Sequence, residues 1–319
     1  MVKVKDIDFK SADHVLQEIE NMNVKGGSPF GRSAAWAFKL ICQQEGHSDY
    51  KSFSKRIVDV KDKLNAYKPT MATINNTCKI VLNLMEQKGE IANLEDIKKE
   101  IITVCNRIIR HSYEAVNQLS VYGANRIKDG DVIMMHSYSS TLMGIFIQAK
   151  KDGKNFNVIC TESRPLRESR NAIKIFQELG VPVTLITDAS VYEFLPTCDY
   201  VIMGADSLDV DGSVANKMGT AQVAKLAKAC NKDVYIASEL YKLDKRTQDG
   251  YKIVLERRTP DEIVAKGDYE TMEGIEVINQ FFDITPASDI KAIICEYGII
   301  NPGHMITFWD KLEEDILGK

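Results

Sequence analysis

The sequence predicts an α/β protein: an N-terminal all-helical domain followed by a Rossmann-like domain with a mainly parallel sheet. Two observations support this prediction. Apolar residues recur at helical spacing through the first third of the chain, and short apolar, β-branched runs alternate with amphipathic helices from residue 129 onward. Strands that are apolar throughout and separated by helices are typical of a parallel sheet covered on both faces.

The helical spacing defines the first domain, which we place at residues 1–128. An apolar stripe of this kind packs one face of each helix against its neighbours. The segments that show it are 15–22, 34–42, 53–64, 71–84 and 97–121.

Six apolar runs define the strands of the second domain, residues 129–319. They are 132–135, 156–159, 181–186, 200–203, 234–237 and 292–295. Turn residues at 129–131 mark the boundary, and because no long linker separates the domains we expect a ligand cleft between them. The charged segment 243–268 fits neither pattern, so we expect an irregular excursion or a partner surface there.

Composition limits the function classes. The 319 residues are 44% hydrophobic, and 41 basic against 45 acidic side chains give a net charge of -4. This balance gives no bulk electrostatic reason to expect nucleic acid or an anionic membrane as partner. No apolar run approaches the ~20 residues that span a bilayer, and there is no secretory signal, so we expect a cytoplasmic protein. Seven scattered cysteines in mostly apolar runs favour buried thiols.

The segment Gly204–Thr220 carries the strongest signal for a ligand site. Asp206 follows a predicted strand, at the end where open α/β sheets bind ligands. An Asp-Gly pair then predicts a hairpin turn, and the chain from Asn216 onward is predicted to be helical. Asp206, Asn216 and Lys217 thus bring an acid, an amide and an amine to one strand-to-helix junction, which indicates a phosphorylated ligand.

Polar residues also follow the first two predicted strands. Ser137 and Ser139 lie in a hydroxyl-rich turn before a helix, where backbone N–H groups favour an anion. Ser139 could equally be an ordinary helix cap. Arg164 could bind phosphate bidentately, although an arginine before a proline is as often a surface ion-pair partner.

Two segments of the helical domain could reach the same cleft. Lys25, Gly26 and Gly27 form a glycine-rich turn before a helix, which allows close approach of the backbone to a phosphate. Lys68 precedes a proline at another helix start. Taken singly, each segment could also be an ordinary turn or cap.

Other kinds of site are not supported. The five histidines show no metal-ligand spacing and the cysteines form no CxxC pair, so we expect no metal. A triad of Ser137, His136 and Asp206 could be drawn, but the GxSxG turn of a hydrolase is absent.

Together these segments resemble the initiation factor 2B alpha/beta/delta-like superfamily, which includes the methylthioribose-1-phosphate and ribose-1,5-bisphosphate isomerases. The family pattern Gly-Ala-Asp-Ser, then Asn-Lys-Ile-Gly-Thr, stands here as Gly204–Ser207 and Asn216–Thr220. Thr161–Pro165, Ser238–Lys242 and Phe282–Pro286 are similar to three further family segments. The resemblance covers essentially the whole chain.

The resemblance implies a catalytic pair. Asp206 would move a proton between C1 and C2 of a sugar phosphate through an enediol-like state, without metal or nicotinamide. The isomerases have a cysteine where this chain has Ser137. A serine hydroxyl is a poorer base than a thiolate near neutral pH, so Ser137 would be a second acid or a polar placeholder.

The resemblance also implies a binding set. Lys25 and Lys68 stand where the isomerases have arginines, which keeps the charge but loses the bidentate fork. With the glycine turn and Ser139, they would hold phosphate. The remaining members of the expected set are Arg164, Asn216, Lys217 and Lys242.

Two functions of different classes follow from the resemblance. The preferred one is an aldose–ketose isomerase of a pentose 1-phosphate or 1,5-bisphosphate. The alternative is a non-catalytic regulator resembling the initiation factor 2B alpha subunit, which would sense a sugar phosphate or nucleotide and bind initiation factor 2. Ser137 favours the regulator, whereas Asp206 and the Lys25 turn favour the isomerase. Both imply a homodimer or a dimer-based hexamer.

Overall fold

Five helices form the N-terminal part of the protein in a computed structural model that describes residues 6–89 and 93–318. They are α1 (Ala12–Glu20), α2 (Gly27–Gln44), α3 (Tyr50–Tyr67), α4 (Ala72–Lys88) and α5 (Leu94–Arg126). Side-chain caps begin several of them: the Ser11 hydroxyl accepts from the His14 N–H at 3.1 Å, and Asp49 accepts from the Ser52 N–H at 2.7 Å. The predicted all-helical region is confirmed.

Twelve strands are found among the described residues of the C-terminal part. They are β1 (Val132–Met135), β2 (Asn157–Thr161), β3 (Val183–Ile186), β4 (Tyr200–Gly204), β5 (Ser207–Leu208), β6 (Val214–Lys217), β7 (Val234–Ala237), β8 (Arg257–Arg258), β9 (Asn279–Gln280), β10 (Phe282–Thr285), β11 (Ala292–Cys295) and β12 (Gly298–Ile300). The α-helices between and after them are α6 (Ser140–Lys151), α7 (Ser169–Leu179), α8 (Val191–Phe194), α9 (Thr220–Ala229) and α10 (Trp309–Leu317).

Seven of these strands form the main sheet, in the order β12-β11-β7-β4-β1-β2-β3. All neighbours are parallel except β12, which returns antiparallel to β11 along one edge. The six predicted strands all belong to this sheet, which confirms a mainly parallel Rossmann-like domain.

Alternate strand residues serve two hydrophobic cores, one on each face of the sheet. Ile133 and Met135 pack with α6 and α7, whereas Met134 belongs to a core that continues into the helical domain. Helix α5 contacts α2 and α4 as well as α6 and β11. The helices and the sheet therefore share a continuous packed interface.

A second, antiparallel sheet of β5, β6 and β10 corrects one prediction. Asn216 and Lys217 lie in β6, where they pair with Asp283 and Phe282, and the helix begins only at Thr220. The pairing strand comes from more than sixty residues further along the chain, so the local pattern around Asn216 could not show it.

The charged segment 243–268 is irregular, as expected, apart from short 3-10 turns and the two residues of β8, which pair with β9. The Thr70 hydroxyl donates to the Val254 carbonyl at 2.6 Å and so fastens this excursion to the helical domain. No helix among the described residues has the length and apolar character needed to span a membrane.

Candidate active site

A cavity of about 560 Å³ lies between the helical domain and the carboxyl ends of the central strands. Seven cationic side chains and three carboxylates line it. The cations are Lys25, Lys68, Arg167, Arg170, Lys174, Lys217 and Arg258, and the carboxylates are Glu168, Asp206 and Glu256. An excess of four positive charges suits a polyanionic ligand.

Helix α2 points its N-terminus at this cavity. Gly26 has φ 91° and provides the turn into the helix, a conformation that favours glycine. A Cβ on Gly27 would lie 3.0 Å from both the Asp206 carbonyl oxygen and Lys242 Cε. The glycine pair therefore lets the positive end of the helix dipole pack directly against the Asp206 loop.

Asp206 lies between β4 and β5, and its backbone N–H donates to the Ala215 carbonyl at 2.9 Å. Burial raises the pKa of its carboxyl to about 6, with Lys242 opposing the shift and Glu168 adding to it. A carboxyl that titrates near neutral pH can both take up and release a proton during a reaction.

Ser137 follows β1 in a left-handed conformation, with φ 64°. Its N–H donates to the Ser163 hydroxyl at 2.7 Å, and its own hydroxyl donates to Glu168 Oε2 at 3.2 Å. These contacts hold a non-glycine residue in an unfavourable backbone region and direct its hydroxyl to the cavity wall.

The neighbouring His136 is structural. Its ring is buried, Nε2 donates to the Met218 carbonyl at 2.8 Å, and Nδ1 accepts from the Thr161 hydroxyl at 2.7 Å. Burial lowers the pKa of this imidazole, which keeps it neutral with both nitrogens engaged.

Lys217 is the most unusual cation of the site. It is 2% exposed, and its Nζ has no hydrogen-bond partner among the described residues. The ammonium lies 3.4 Å from Glu168 Oε2 and 3.4 Å from the Phe281 ring centroid. Burial lowers its pKa, an effect that Glu168 opposes. A buried, unsatisfied donor facing a cavity is a ready partner for an anionic oxygen.

The strand that carries Lys217 is held in place by hydrogen bonds at the junction of β6 and α9. The Asn216 amide donates to the Thr220 hydroxyl at 2.9 Å. Asp283 of β10 accepts the N–H groups of Gly219 and Ala221 at the start of α9, so this helix terminus is already occupied by a carboxylate. Burial raises the pKa of Asp283 to about 6 in spite of these bonds.

The excursion brings two charged side chains into the cavity. Glu256 Oε2 lies 3.6 Å from Lys68 Nζ, whose pKa burial lowers. The Arg258 guanidinium stacks 4.8 Å from the Phe281 ring centroid and donates from Nε to Glu262 Oε1 at 2.8 Å. Phe281 is therefore in contact with two cations, Lys217 and Arg258.

The structure brings seven of the expected site residues to the cavity wall and places four elsewhere. Those on the wall are Lys25, Gly26, Lys68, Ser137, Asp206, Asn216 and Lys217. Gly27 and Lys242 lie behind the wall, where Lys242 Nζ donates to the Ala205 carbonyl at 2.7 Å. The Ser139 hydroxyl caps α6 by accepting from the Leu142 N–H at 3.3 Å. The exposed Arg164 side chain is not among the lining residues.

Two groups of lining residues were missed from the sequence. Arg167, Arg170 and Lys174 are spaced by three and four residues around the start of α7, a pattern that could have indicated one basic helix face. Glu256 and Arg258 lie in the irregular excursion, where no periodicity indicates which side chains face inward.

Among the described residues, potential metal ligands form no cluster and no thiol faces the cavity. No group of three or more His, Cys, Asp or Glu side chains there could hold a metal ion. The seven cysteines are free, and none lines the cavity. Burial raises the pKa of Cys160 to about 12 and that of Cys295 to about 12, which keeps these thiols protonated.

Comparison with known proteins finds relatives that match more than nine tenths of this chain. The chain is 35% identical to a ribose 1,5-bisphosphate isomerase of Methanocaldococcus jannaschii over 94% of either chain. It is 33% identical to that of Thermococcus kodakarensis over 92% of either chain. A crystal structure of the Pyrococcus horikoshii OT3 translation initiation factor eIF-2B superposes with a TM-score of 0.77 at 29% identity, covering 91% of this chain and 97% of that one.

The family model described as "Initiation factor 2 subunit family" matches residues 23–302, which include both the helical region and the main sheet. The expected superfamily is thereby confirmed. This chain belongs to the Initiation factor 2 subunit family.

Proposed function

We propose that this protein binds a pentose bisphosphate in the cavity and interconverts its aldose and ketose forms. The observation that carries the proposal is the excess of four positive charges around Asp206. Each phosphate group carries about -1.5 to -2 charge at pH 7, so two phosphates match this excess and one leaves it half neutralised. The names of the relatives, ribose 1,5-bisphosphate isomerases, support the same substrate.

Two anion subsites follow from the placement of the cations. One phosphate would lie at the N-terminus of α2, near Gly26, Lys25 and Lys68. The other would accept from the unsatisfied Lys217 ammonium and from Arg258. The sugar would then lie between them against Asp206, the acid–base group of the reaction.

Incubation with ribose 1,5-bisphosphate, followed by ³¹P NMR, tests the proposal. We expect wild-type protein to form the ketose bisphosphate and Asp206→Asn to lose at least 100-fold of that rate, since positioned acid–base groups contribute about 10²- to 10⁴-fold. Parallel incubation with 5-methylthioribose 1-phosphate should show little turnover. Absence of turnover of the bisphosphate by wild-type protein contradicts the proposal.

A second candidate function, ligand sensing without turnover, is favoured by one observation. Ser137 lines the cavity at the position where the family's isomerases are expected to have a cysteine. None of the seven cysteines of this chain lines the cavity to supply a thiol in its place. A sensor would bind the sugar phosphate tightly, leave it unchanged and associate with initiation factor 2. Strongly increased turnover by Ser137→Cys would show that the missing thiol limits catalysis.

We also propose that the functional unit is a homodimer or a dimer-based hexamer, as the family resemblance implies. Light scattering on a size-exclusion column gives the native mass directly. A mass equal to one chain of 35.9 kDa would contradict this assembly.

A further inference from the structure

Glu168 is a cavity carboxylate to which the expected site assigns no role. It is the residue immediately before α7, and its side chain is 24% exposed. One oxygen, Oε2, accepts the Ser137 hydroxyl at 3.2 Å and lies 3.4 Å from Lys217 Nζ. A neutral donor and a cation on the same oxygen hold this carboxylate in one orientation.

The proposed reaction needs two proton transfers. Converting the cyclic aldose 1,5-bisphosphate to the ketose breaks the bond between C1 and the ring oxygen, which gains a proton. C2 loses a proton and C1 gains one, while the O2 hydroxyl loses its proton as the carbonyl forms. The atoms balance without an oxidant or reductant. Two acid–base groups are therefore sufficient, one for the oxygens and one for the carbons.

Three carboxylates line the cavity, and they differ in their surroundings. Glu256 is held by the excursion against Lys68, at 3.6 Å, on the helical-domain side. Asp206 and Glu168 instead follow β4 and β2 at the carboxyl edge of the main sheet, and the charge of Glu168 contributes to the raised pKa of Asp206. Glu168 also accepts a hydrogen bond from Ser137, which directly follows β1. Strand β1 lies between β4 and β2 in the main sheet.

We propose that Glu168 is the second catalytic acid–base group, and that Ser137 and Lys217 are the positioning residues that orient it. The inference rests on the proposed isomerase function. It removes the difficulty of a serine in place of a thiol, because the Ser137 hydroxyl only donates a hydrogen bond to the carboxylate and never has to give up its proton.

The surroundings of the two carboxyl groups favour one division of labour. Asp206, whose pKa burial raises to about 6, can donate a proton to the ring oxygen as the C1–oxygen bond breaks. Glu168, which Ser137 and Lys217 hold in place, then takes the proton from C2 to give an enol phosphate and returns it to C1. The Asp206 carboxylate finally takes the O2 proton, which restores both groups. Asp206 therefore serves the oxygens, not the carbons as the sequence comparison implied.

Glu168→Gln tests the inference because it keeps the shape and the hydrogen-bond acceptor but cannot take a proton. With ribose 1,5-bisphosphate we expect kcat to fall at least 100-fold and KM to change less than threefold. The matched control is Glu162→Gln, which removes a carboxylate from the same loop outside the cavity, where it lies 3.6 Å from Arg167 Nε. It should retain wild-type kcat.

Two further measurements separate catalysis from folding. Calorimetric titration with ribulose 1,5-bisphosphate should give the same dissociation constant for Glu168→Gln and wild type within threefold. Glu168→Ala should regain at least tenfold of its lost kcat when formate is added, since formate can occupy the vacated carboxylate position.

The outcomes distinguish this inference from the proposed function. Wild-type protein that turns over no sugar phosphate overturns both. An active wild type with a Glu168→Gln variant that retains a third or more of kcat overturns the role of Glu168 alone. Loss of ribulose 1,5-bisphosphate binding by that variant, or no rescue by formate, also overturns it, because Glu168 would then be a binding or structural residue.

Discussion

Replacing Lys217 by Met should weaken ligand binding strongly without lowering the free energy of unfolding of the ligand-free protein. The ammonium is 2% exposed, makes no hydrogen bond among the described residues, and lies 3.4 Å from Glu168 Oε2 and 3.4 Å from the Phe281 ring centroid. Its burial opposes folding, and its attraction to Glu168 offsets part of that cost. Replacing both partners of a buried ion pair by apolar groups is often neutral or stabilising by about 1–4 kcal/mol, whereas removing one partner costs about 3–5 kcal/mol when the other charge is left buried and unpaired. Glu168 keeps its Ser137 partner and partial exposure, so we expect a free energy of unfolding within about 1 kcal/mol of wild type, or above it.

In the presence of ligand, the Lys217→Met variant should be stabilised much less than wild type. A hydrogen bond to a charged group contributes about 1.5–3 kcal/mol, so loss of Lys217 should weaken phosphate-ligand binding about 10- to 150-fold. Ligand at 100 times the wild-type dissociation constant stabilises wild type by about 2.7 kcal/mol. A variant that binds 100-fold more weakly gains only about 0.4 kcal/mol under the same conditions.

Urea denaturation with and without ribulose 1,5-bisphosphate measures both quantities in one experiment. Lys174→Met is the matched control, since it removes an exposed cation from the same cavity and should change either quantity by less than about 1 kcal/mol. A Lys217→Met variant that loses more than about 3 kcal/mol of unfolding free energy, yet is stabilised by ribulose 1,5-bisphosphate as much as wild type, would show that Lys217 supports the fold and not the ligand.

Three further substitutions test other parts of the site. Arg258→Met should raise KM for the bisphosphate about 10- to 100-fold, whereas the adjacent exposed Arg257→Met should leave it unchanged in the same assay. Because the folded-state pKa of Asp206 is raised from 3.8 to about 6, wild type loses stability as the pH rises from about 4 through about 6. Asp206→Asn should therefore gain up to about 3 kcal/mol over wild type at pH 8 in urea denaturation, and this gain should fall below about 1 kcal/mol at pH 4. Gly219→Ala adds a Cβ 2.8 Å from a buried histidine ring at φ 105°, and should lower thermal stability by at least about 2 kcal/mol more than Gly250→Ala, which meets nothing within 4 Å at φ 86°; equal losses would show that only backbone strain matters.

Periodicity was sufficient to predict the main architecture. The six apolar runs became six strands of the main sheet, and the helical stretches became α1 to α5, because burial on both faces of a sheet or along one face of a helix leaves a regular pattern in the chain. The antiparallel edge strand β12 and the addition of β10 to the hairpin of β5 and β6 were not predicted. The pairing of β10 with β6 joins segments more than sixty residues apart, which a local pattern cannot show, whereas β12 turns back on its neighbour β11.

The expected site residues that line the cavity include ones that directly follow a strand or precede a helix. Asp206 and Ser137 lie on the cavity wall because the carboxyl ends of parallel strands meet at one edge. Arg164 shows the limit of this rule: it follows β2, yet its side chain is exposed, and the residues that reach the cavity lie two to ten positions later. Backbone direction after the strand, rather than proximity in sequence, decides which side chain turns inward.

The sequence by itself determined the fold and the family, since these depend on patterns within short segments, and it led to the expectation of a phosphorylated ligand from the residue types at strand ends. Only the tertiary structure decided which charges face one another. It places Glu168 against Ser137 and Lys217, Lys242 behind the cavity wall and Arg258 of the excursion on that wall. Electrostatic interaction acts through distance in space, so the charge distribution of this cavity is a property of the folded chain.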